Sequence, residues 1–160
     1  MHGDVHSAAM SKKHAPAFHA TAATYRPGAR TLEGKYYNSP DIFQAEQDRI
    51  FSESWNCVGR ADRVSRAGDY FLCTIAGESL IVTCDIQGVL HAFFNVCRHR
   101  GTRICETLSG NAGRVLQCPY HAWTYAMDGK LMAAPHMHEV VGFDTAQFGL
   151  HQAAVAQWEG

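Results

Sequence analysis

Two short segments that combine cysteine with histidine constrain the fold of this chain more than any other feature. The first contains Cys97 and His99 in a C-x-H pattern, and the second contains Cys118 and His121 in a C-x-x-H pattern. Eighteen residues separate His99 from Cys118. Thiolate and imidazole together suit zinc or iron, and such short spacing lets one loop present both donors. The chain is therefore expected to fold around a metal centre held by two loops.

The distribution of the donors between the segments bears on which metal they hold. Zinc sites with two Cys and two His usually take both thiolates from one turn and both imidazoles from a helix. Here each segment contains one donor of each type. Mixed loops suit a binuclear cluster, because each loop then supplies a thiolate to one iron and an imidazole to the other. The pattern favours a [2Fe–2S] cluster; a structural zinc site and four unligated residues are the alternatives.

Composition is typical of a globular chain of one domain. The 160 residues are 46% apolar and 18% charged, and the formal net charge is −1. The chain has no broad basic surface, so nucleic acid is not expected as a partner. A membrane is not expected as a partner either. The longest apolar stretches, such as residues 80–82, are far shorter than the roughly 18 residues of a spanning helix. The N-terminus lacks the apolar segment of a signal peptide. The six cysteines are therefore expected in the reducing cytoplasm, where they indicate metal or redox chemistry rather than disulfides.

The first 35 residues differ from the rest of the chain. Residues 5–32 contain four basic side chains and no acidic one, which leaves residues 33–160 with a net charge of −4. The segment is rich in Ala, His and Thr and has no apolar period, so residues 1–35 are predicted to form an extended or disordered tail. An organelle transit peptide is the alternative interpretation.

One helix is predicted at the start of the ordered domain, which we place at residues 36–160. Ser39 is a suitable N-cap and Pro40 suits the first helical position, so the helix is expected over residues 40–53. Its apolar residues fall within one helical stripe, formed by Ile42, Phe43, Ile50 and Phe51.

The remainder of the domain is predicted to be mostly β and antiparallel. After Trp55 the sequence consists of short runs rich in β-branched and aromatic residues, bounded by turn residues such as those at 87–88 and 128–129. The predicted strands are residues 55–59, 69–75, 79–85, 89–96, 114–117 and 123–127. Both Cys/His segments directly follow a predicted strand, which places them in loops.

At these loops the chain resembles the Rieske domain at the N-terminus of the α subunit of ring-hydroxylating oxygenases. The matching residues are Cys97, Arg98, His99, Arg100, Gly101, Cys118, Pro119, Tyr120, His121, Ala122, Trp123, Tyr125, Asp128, Gly129, Lys130 and Leu131. The resemblance implies stacked antiparallel sheets with the cluster at the tip of two loops. It implies that Cys97 and Cys118 bind the inner iron of a [2Fe–2S] cluster, and that His99 and His121 bind the outer iron. Ala122 departs from the glycine of most relatives, at little cost if its φ is negative.

In that family the domain transfers single electrons within a larger enzyme. A reductase or ferredoxin is the donor, and the recipient is a mononuclear Fe(II) in a neighbouring subunit of a homotrimer. The family's ligand motif for that iron, D-x-x-H-x₄-H, follows the Rieske domain. The one H-x₄-H in this chain, at His14 and His19, precedes the loops and has no Asp three residues ahead, while His136 and His138 are expected to be loop histidines. We therefore expect no catalytic residues here and place the mononuclear iron in a missing C-terminal domain.

The resemblance implies that the chain is the N-terminal part of a Rieske oxygenase, by truncation or by gene structure. Residues 155–160 are expected to form a strand that leads toward the catalytic domain. A stand-alone Rieske ferredoxin is the rival interpretation, although such ferredoxins are shorter and need neither the tail nor the helix. A zinc-stabilised module without redox activity is the third. Whether the oxygenase is a mono- or dioxygenase, and on which substrate, is left open.

Mitochondrial and photosynthetic Rieske proteins form the other family with such loops. They add one Cys to each loop and join the two by a disulfide. This chain has Cys105 in the first loop, but Tyr120 occupies the position of the second loop's additional cysteine. Their high potential is associated with a Ser and a Tyr hydroxyl, at positions that here hold Trp123 and Tyr125. The resemblance is therefore to the oxygenase type, with a low potential. The other cysteines are expected in the core or at its edge: Cys57, Cys73, Cys84 and Cys105.

Overall fold

The computed structural model describes residues 27–159. Two compact units are separated after Asn38. The described part of the first unit contains one short helix, α1 (Lys35–Asn38). The second unit contains every other element. His14, His19 and most of the predicted tail lie outside the described residues.

The predicted helix is present at the start of the second unit. Helix α2 (Pro40–Glu46) begins after Ser39, whose hydroxyl accepts a hydrogen bond from the Ile42 amide at 3.5 Å. It continues as a π-helical turn, Gln47–Phe51. The predicted N-cap is therefore confirmed, and the helix ends two residues earlier than expected. Three residues of its apolar stripe are exposed: Phe43, Ile50 and Phe51.

Two antiparallel sheets form the rest of the unit, which confirms the predicted mostly β class. The larger sheet has the strand order β4-β1-β2-β3-β8, and the smaller has the order β5-β6-β7. The strands are β1 (Asp69–Ile75), β2 (Glu78–Cys84), β3 (Leu90–Phe94), β4 (Ser109–Asn111), β5 (Val115–Gln117), β6 (Thr124–Ala126), β7 (Leu131–Ala133) and β8 (Gln152–Ala153). Two 3₁₀ helices complete the described chain, Ala61–Val64 and Thr145–Phe148.

Two of the predicted strands are wrong. Residues 55–59 and residues 154–159 form no strand, and the latter follow the two-residue strand β8. Val58 and Val155 instead pack onto the outer face of the larger sheet, against the cluster that contains Val82. A segment that crosses the face of a sheet has no neighbouring backbone with which to form a ladder. In each segment one valine contacts the sheet face, while Trp55 and Trp158 are exposed.

The two faces of the larger sheet follow the period of two expected for strands. Ile81 and Phe93 point toward the smaller sheet and belong to the main core, while Val82 and Ala92 lie on the opposite face. A buried hydrogen bond also joins the sheets, from the Thr83 hydroxyl to the carbonyl of Met127, at 2.8 Å. The sheets are thereby fixed beside each other, and the two Cys/His loops extend from this core.

Candidate metal centre

The first Cys/His loop leaves the larger sheet directly after β3 and is closed at its base by Asn95. This side chain is fully buried. Its Oδ1 accepts hydrogen bonds from the amides of Ile104 and Cys105, at 2.9 and 3.0 Å, and its Nδ2 donates to the carbonyl of Cys105 at 2.7 Å. Buried polar groups that are fully paired make a loop rigid. The sequence alone does not single out Asn95, because one Asn at the end of a strand forms no motif with other residues at a recognisable spacing.

The second loop connects β5 to β6, and its backbone repeats that of the first. The carbonyl of Cys97 accepts from the Gly101 amide at 2.9 Å, and the carbonyl of Cys118 accepts from the Ala122 amide at 3.1 Å. The amide of each cysteine donates to a carbonyl five residues on, in both cases at 2.8 Å. Each loop therefore folds back on its own cysteine in the same way.

Ala122 occupies the position equivalent to Gly101, and both residues have left-handed backbones. The φ angles are +56° for Ala122 and +74° for Gly101. The condition under which alanine would cost little here, a negative φ, is therefore not met. The hydrogen bond back to Cys118 requires the chain to reverse at this point, and an L-residue with a Cβ pays a steric cost for doing so.

The two cysteines of the loops form a buried thiol pair. Cys97 and Cys118 are each 2% exposed. Burial raises the pKa of the Cys118 thiol, and the neighbouring Cys97 acts in the same direction. The Tyr125 hydroxyl lies 3.2 Å from the Cys97 sulfur and accepts a hydrogen bond from the Arg98 amide at 3.0 Å. Burial also raises the pKa of Tyr125, so the phenol keeps its proton and can donate it to the sulfur.

The two histidines form a second pair, nearer the surface. His99 and His121 are both partly exposed, and their ring centroids lie 4.7 Å apart with planes at 71°. Burial lowers the pKa of His99, and the electrostatic effects of His121 and Arg100 act in the same direction. Neutral imidazole, the form that binds a metal, is therefore favoured at His99.

The donors are thus sorted by type, with thiols inside and imidazoles outside. One ring nitrogen, Nδ1 of His121, is buried and has no hydrogen-bond partner. An unpaired buried nitrogen is costly unless another group completes it, and a metal ion is such a group. Among residues 27–159, no three His, Cys, Asp or Glu side chains are grouped so that they could hold one ion. A thiol pair next to an imidazole pair fits the [2Fe–2S] cluster of Rieske type, which takes two protein ligands at each iron.

His136, His138 and the four remaining cysteines lie elsewhere in the described chain. His136 and His138 are exposed in the loop after β7, as predicted, and His138 lies 3.5 Å from the carboxylate of Glu139. All six cysteines are free. Cys84 and Cys105 are buried and Cys73 is half-buried, whereas Cys57 is exposed, contrary to prediction. Burial raises the pKa of Cys105 to about 11.

Within residues 27–159, no helix has the length and apolar character needed to cross a bilayer.

Comparisons with known proteins agree with the donor geometry. The sequence profile of the Rieske [2Fe-2S] domain matches residues 54–149. The glycine betaine monooxygenase oxygenase subunit of Chromohalobacter salexigens is 39% identical over 136 residues, which cover 84% of this chain and 30% of that protein. The biphenyl dioxygenase subunit alpha of Metapseudomonas furukawaii is 36% identical over 138 residues, which cover 81% of this chain and 30% of that protein.

A solved structure gives the same result for the fold. The apo form of a quaternary ammonium Rieske monooxygenase superposes with a TM-score of 0.75 at 34% identity, over 80% of this chain and 37% of that one. The chain therefore spans about a third of the length of the relatives it matches.

Proposed function

The chain belongs to the Rieske [2Fe–2S] domain family, and on that premise we propose that it transfers single electrons as the N-terminal part of a Rieske non-heme iron oxygenase. The observation that carries the proposal is the sorting of the four donors into a buried thiol pair and a half-exposed imidazole pair. The oxygenase assignment is supported by the relatives, which are oxygenase subunits of both mono- and dioxygenases.

Each of the four donors has a proposed role. Cys97 and Cys118 hold the inner iron as thiolates, and His99 and His121 hold the outer iron. The buried position of the thiols and their mutual contact support the first assignment. The unpaired, buried Nδ1 of His121 supports the second, because it is available as a ligand atom.

The surrounding residues prepare the site for one-electron chemistry. When bound, the [2Fe–2S] cluster supplies a one-electron couple whose potential depends on hydrogen bonds, charge and exposure. Tyr125 donates its proton toward the Cys97 sulfur and thereby stabilises negative charge there. Asn95 keeps the base of the first loop in place. The partly exposed imidazoles form the edge of the site nearest to any redox partner.

The partners in this proposal follow from the oxygenase assignment. A reductase or ferredoxin reduces the domain, and a mononuclear iron outside this chain receives the electron. A homotrimer would bring that iron, on a neighbouring subunit, to the imidazole edge. The cytoplasm, which keeps thiols reduced, is the proposed compartment.

Anaerobic purification followed by metal and sulfide analysis tests the proposal. The protein should be red-brown, contain iron and acid-labile sulfide in equal amounts, and bleach partly on reduction. A colourless protein with stoichiometric zinc and no sulfide would contradict it, because zinc needs no bridging sulfide.

A further inference from the structure

The indole of Trp123 lies flat against the imidazole of His99. The two ring centroids are 5.0 Å apart and the planes differ by only 9°. This distance and angle correspond to the offset-stacked arrangement that aromatic pairs prefer. Twenty-three residues separate Trp123 from His99 along the chain, so the contact joins the second Cys/His loop to the first.

Trp123 is itself held from other sides. It is 2% exposed, and the rings of Phe143 and Phe148 meet it edge-on at 5.7 and 5.9 Å. Arg98 fastens the segment that carries Phe148, because its guanidinium donates to the carbonyl of Gly149 at 2.9 Å. The indole is therefore a fixed surface rather than a mobile neighbour.

His99 has two aromatic partners of different geometry. The ring of His121 approaches it at 71°, whereas the indole of Trp123 lies parallel to it. Rotation of His99 about its Cβ–Cγ bond would move its ring out of the stack and into the indole or toward His121. Since His99 is partly exposed, its aromatic contacts with Trp123 and His121 help to fix the plane of the ring.

We propose that Trp123 is a positioning residue for the outer iron's ligand His99, acting through the face of its ring and not through its N–H group. The inference rests on the proposed function, because it assigns a purpose to this stack only if His99 binds iron. The indole nitrogen is buried and has no partner within residues 27–159, so the contact with His99 depends on the ring surface.

The test is electron paramagnetic resonance of the reduced, cluster-loaded protein, with iron and sulfide content measured on each sample. In Trp123→Leu the plane of His99 is no longer fixed, so broader lines and altered couplings to the histidine nitrogen are expected. Trp123→Phe keeps a planar ring without the N–H group and should restore the wild-type line shape. Phe71→Leu removes a buried ring from the separate core cluster on the outer face of the larger sheet and should leave the spectrum unchanged.

Each outcome decides the matter. A wild-type spectrum in Trp123→Leu, or the same broadening in Phe71→Leu, would overturn the proposal. If Trp123→Leu takes up no cluster, Trp123→Met replaces it, because methionine fills the volume without a planar face. If neither Trp123→Leu nor Trp123→Met takes up a cluster, normal cluster content in Trp123→Phe supports the proposal. Loss of the cluster from all three Trp123 variants, with normal cluster content in Phe71→Leu, refutes it. A wild-type protein without iron and sulfide would instead refute the proposed function.

Discussion

At the scale of single residues, one methyl group distinguishes the two loops at the position where each backbone reverses. Gly101 and Ala122 share a position, a hydrogen bond and a left-handed backbone, yet only glycine adopts that backbone without steric cost. Alanine at positive φ costs about 1–2 kcal/mol. The loop therefore tolerates strain next to a proposed ligand, His121.

Ala122→Gly should raise the free energy of unfolding by about 0.5–1 kcal/mol. Relief of the left-handed alanine contributes about 1–2 kcal/mol, and the greater freedom of glycine in the unfolded chain offsets about 0.4–1 kcal/mol of it. Urea unfolding of the cluster-loaded protein measures the difference. Ala126→Gly, in the extended strand β6, is the control and should destabilise by about 0.5–1 kcal/mol. A destabilised Ala122→Gly would mean that the reversal at this position is not left-handed in solution.

Four histidines in the described loops are expected to differ in their importance for the cluster. His99→Ala and His121→Ala should each abolish the Rieske-type absorption and paramagnetic spectra, because each removes an outer-iron ligand. His136→Ala and His138→Ala, which change exposed loop residues, are matched controls and should retain both spectra. Loss of the spectra in His136→Ala together with retention in His121→Ala would reverse the ligand assignment.

At the scale of elements, the sequence pattern predicted β1, β2, β3, β5 and β6 but not the short strands β4, β7 and β8. The run of apolar and β-branched residues around Ile81 and Val82 predicts β2 within one residue, because this strand is buried on both faces. By contrast β4, with the sequence Ser-Gly-Asn, has no apolar pattern and exists because β1 offers it a partner. The run at residues 55–59 has the β-branched and aromatic composition of a strand, but only Val58 packs against the sheet face and no neighbouring strand pairs with the segment.

In the candidate site, too, features with a local sequence pattern were predictable, and features that depend on contacts between distant segments were not. Spacing singled out Cys97, His99, Cys118 and His121, since donors close in sequence can share a loop tip. The support provided by Asn95 and Trp123 depends on contacts between segments distant in the chain. Such contacts leave no periodic trace in one sequence, so they became visible only in the fold.

The turn between β2 and β3 depends on one carboxylate, and this gives the fold a pH dependence. Asp85 accepts from the amides of Gln87 and Val89, at 2.8 and 2.9 Å, and lies 2.8 Å from Nε2 of His91. Burial raises the pKa of Asp85, but these hydrogen bonds lower it more, so the net shift is downward. A lowered pKa in the folded state means that stability is present above the unfolded value of 3.8 and is lost as the pH falls through the folded pKa.

Asp85→Asn should remove part of that acid dependence. The asparagine amide keeps an acceptor for the turn but cannot ionise. The free energy of unfolding of the variant should therefore fall less than that of the wild-type protein below about pH 4. Urea unfolding at a series of pH values between 3 and 7 provides the comparison. Asp62→Asn, at an exposed pair with Arg60, should behave like the wild type. Equal acid slopes for wild type and Asp85→Asn would show that the turn does not contribute.

At the scale of the whole molecule, charge and hydrogen bonding both bear on the reduction potential. Residues 33–160 carry a net charge of −4, which disfavours the added negative charge of a reduced cluster. The smaller sheet contributes one hydroxyl donor, since Tyr125 reaches the Cys97 sulfur from β6 at 3.2 Å. Trp123 stands where high-potential Rieske proteins have a serine, and its side chain packs against His99 instead.

The reduction potential should therefore fall toward the low end of the Rieske range of about −150 to +300 mV. Protein-film voltammetry near neutral pH measures it, and Tyr125→Phe should lower it further, because the variant loses the O–H donor to Cys97 while keeping the buried ring. Tyr70→Phe is the matched control: Tyr70 packs against the same core cluster, and loss of its hydroxyl should leave the potential unchanged. A low potential suits the proposed role, since the electron must pass on to an iron that activates oxygen. A wild-type value above about +200 mV, at the respiratory end of that range, would contradict both the hydrogen-bond argument and the oxygenase assignment.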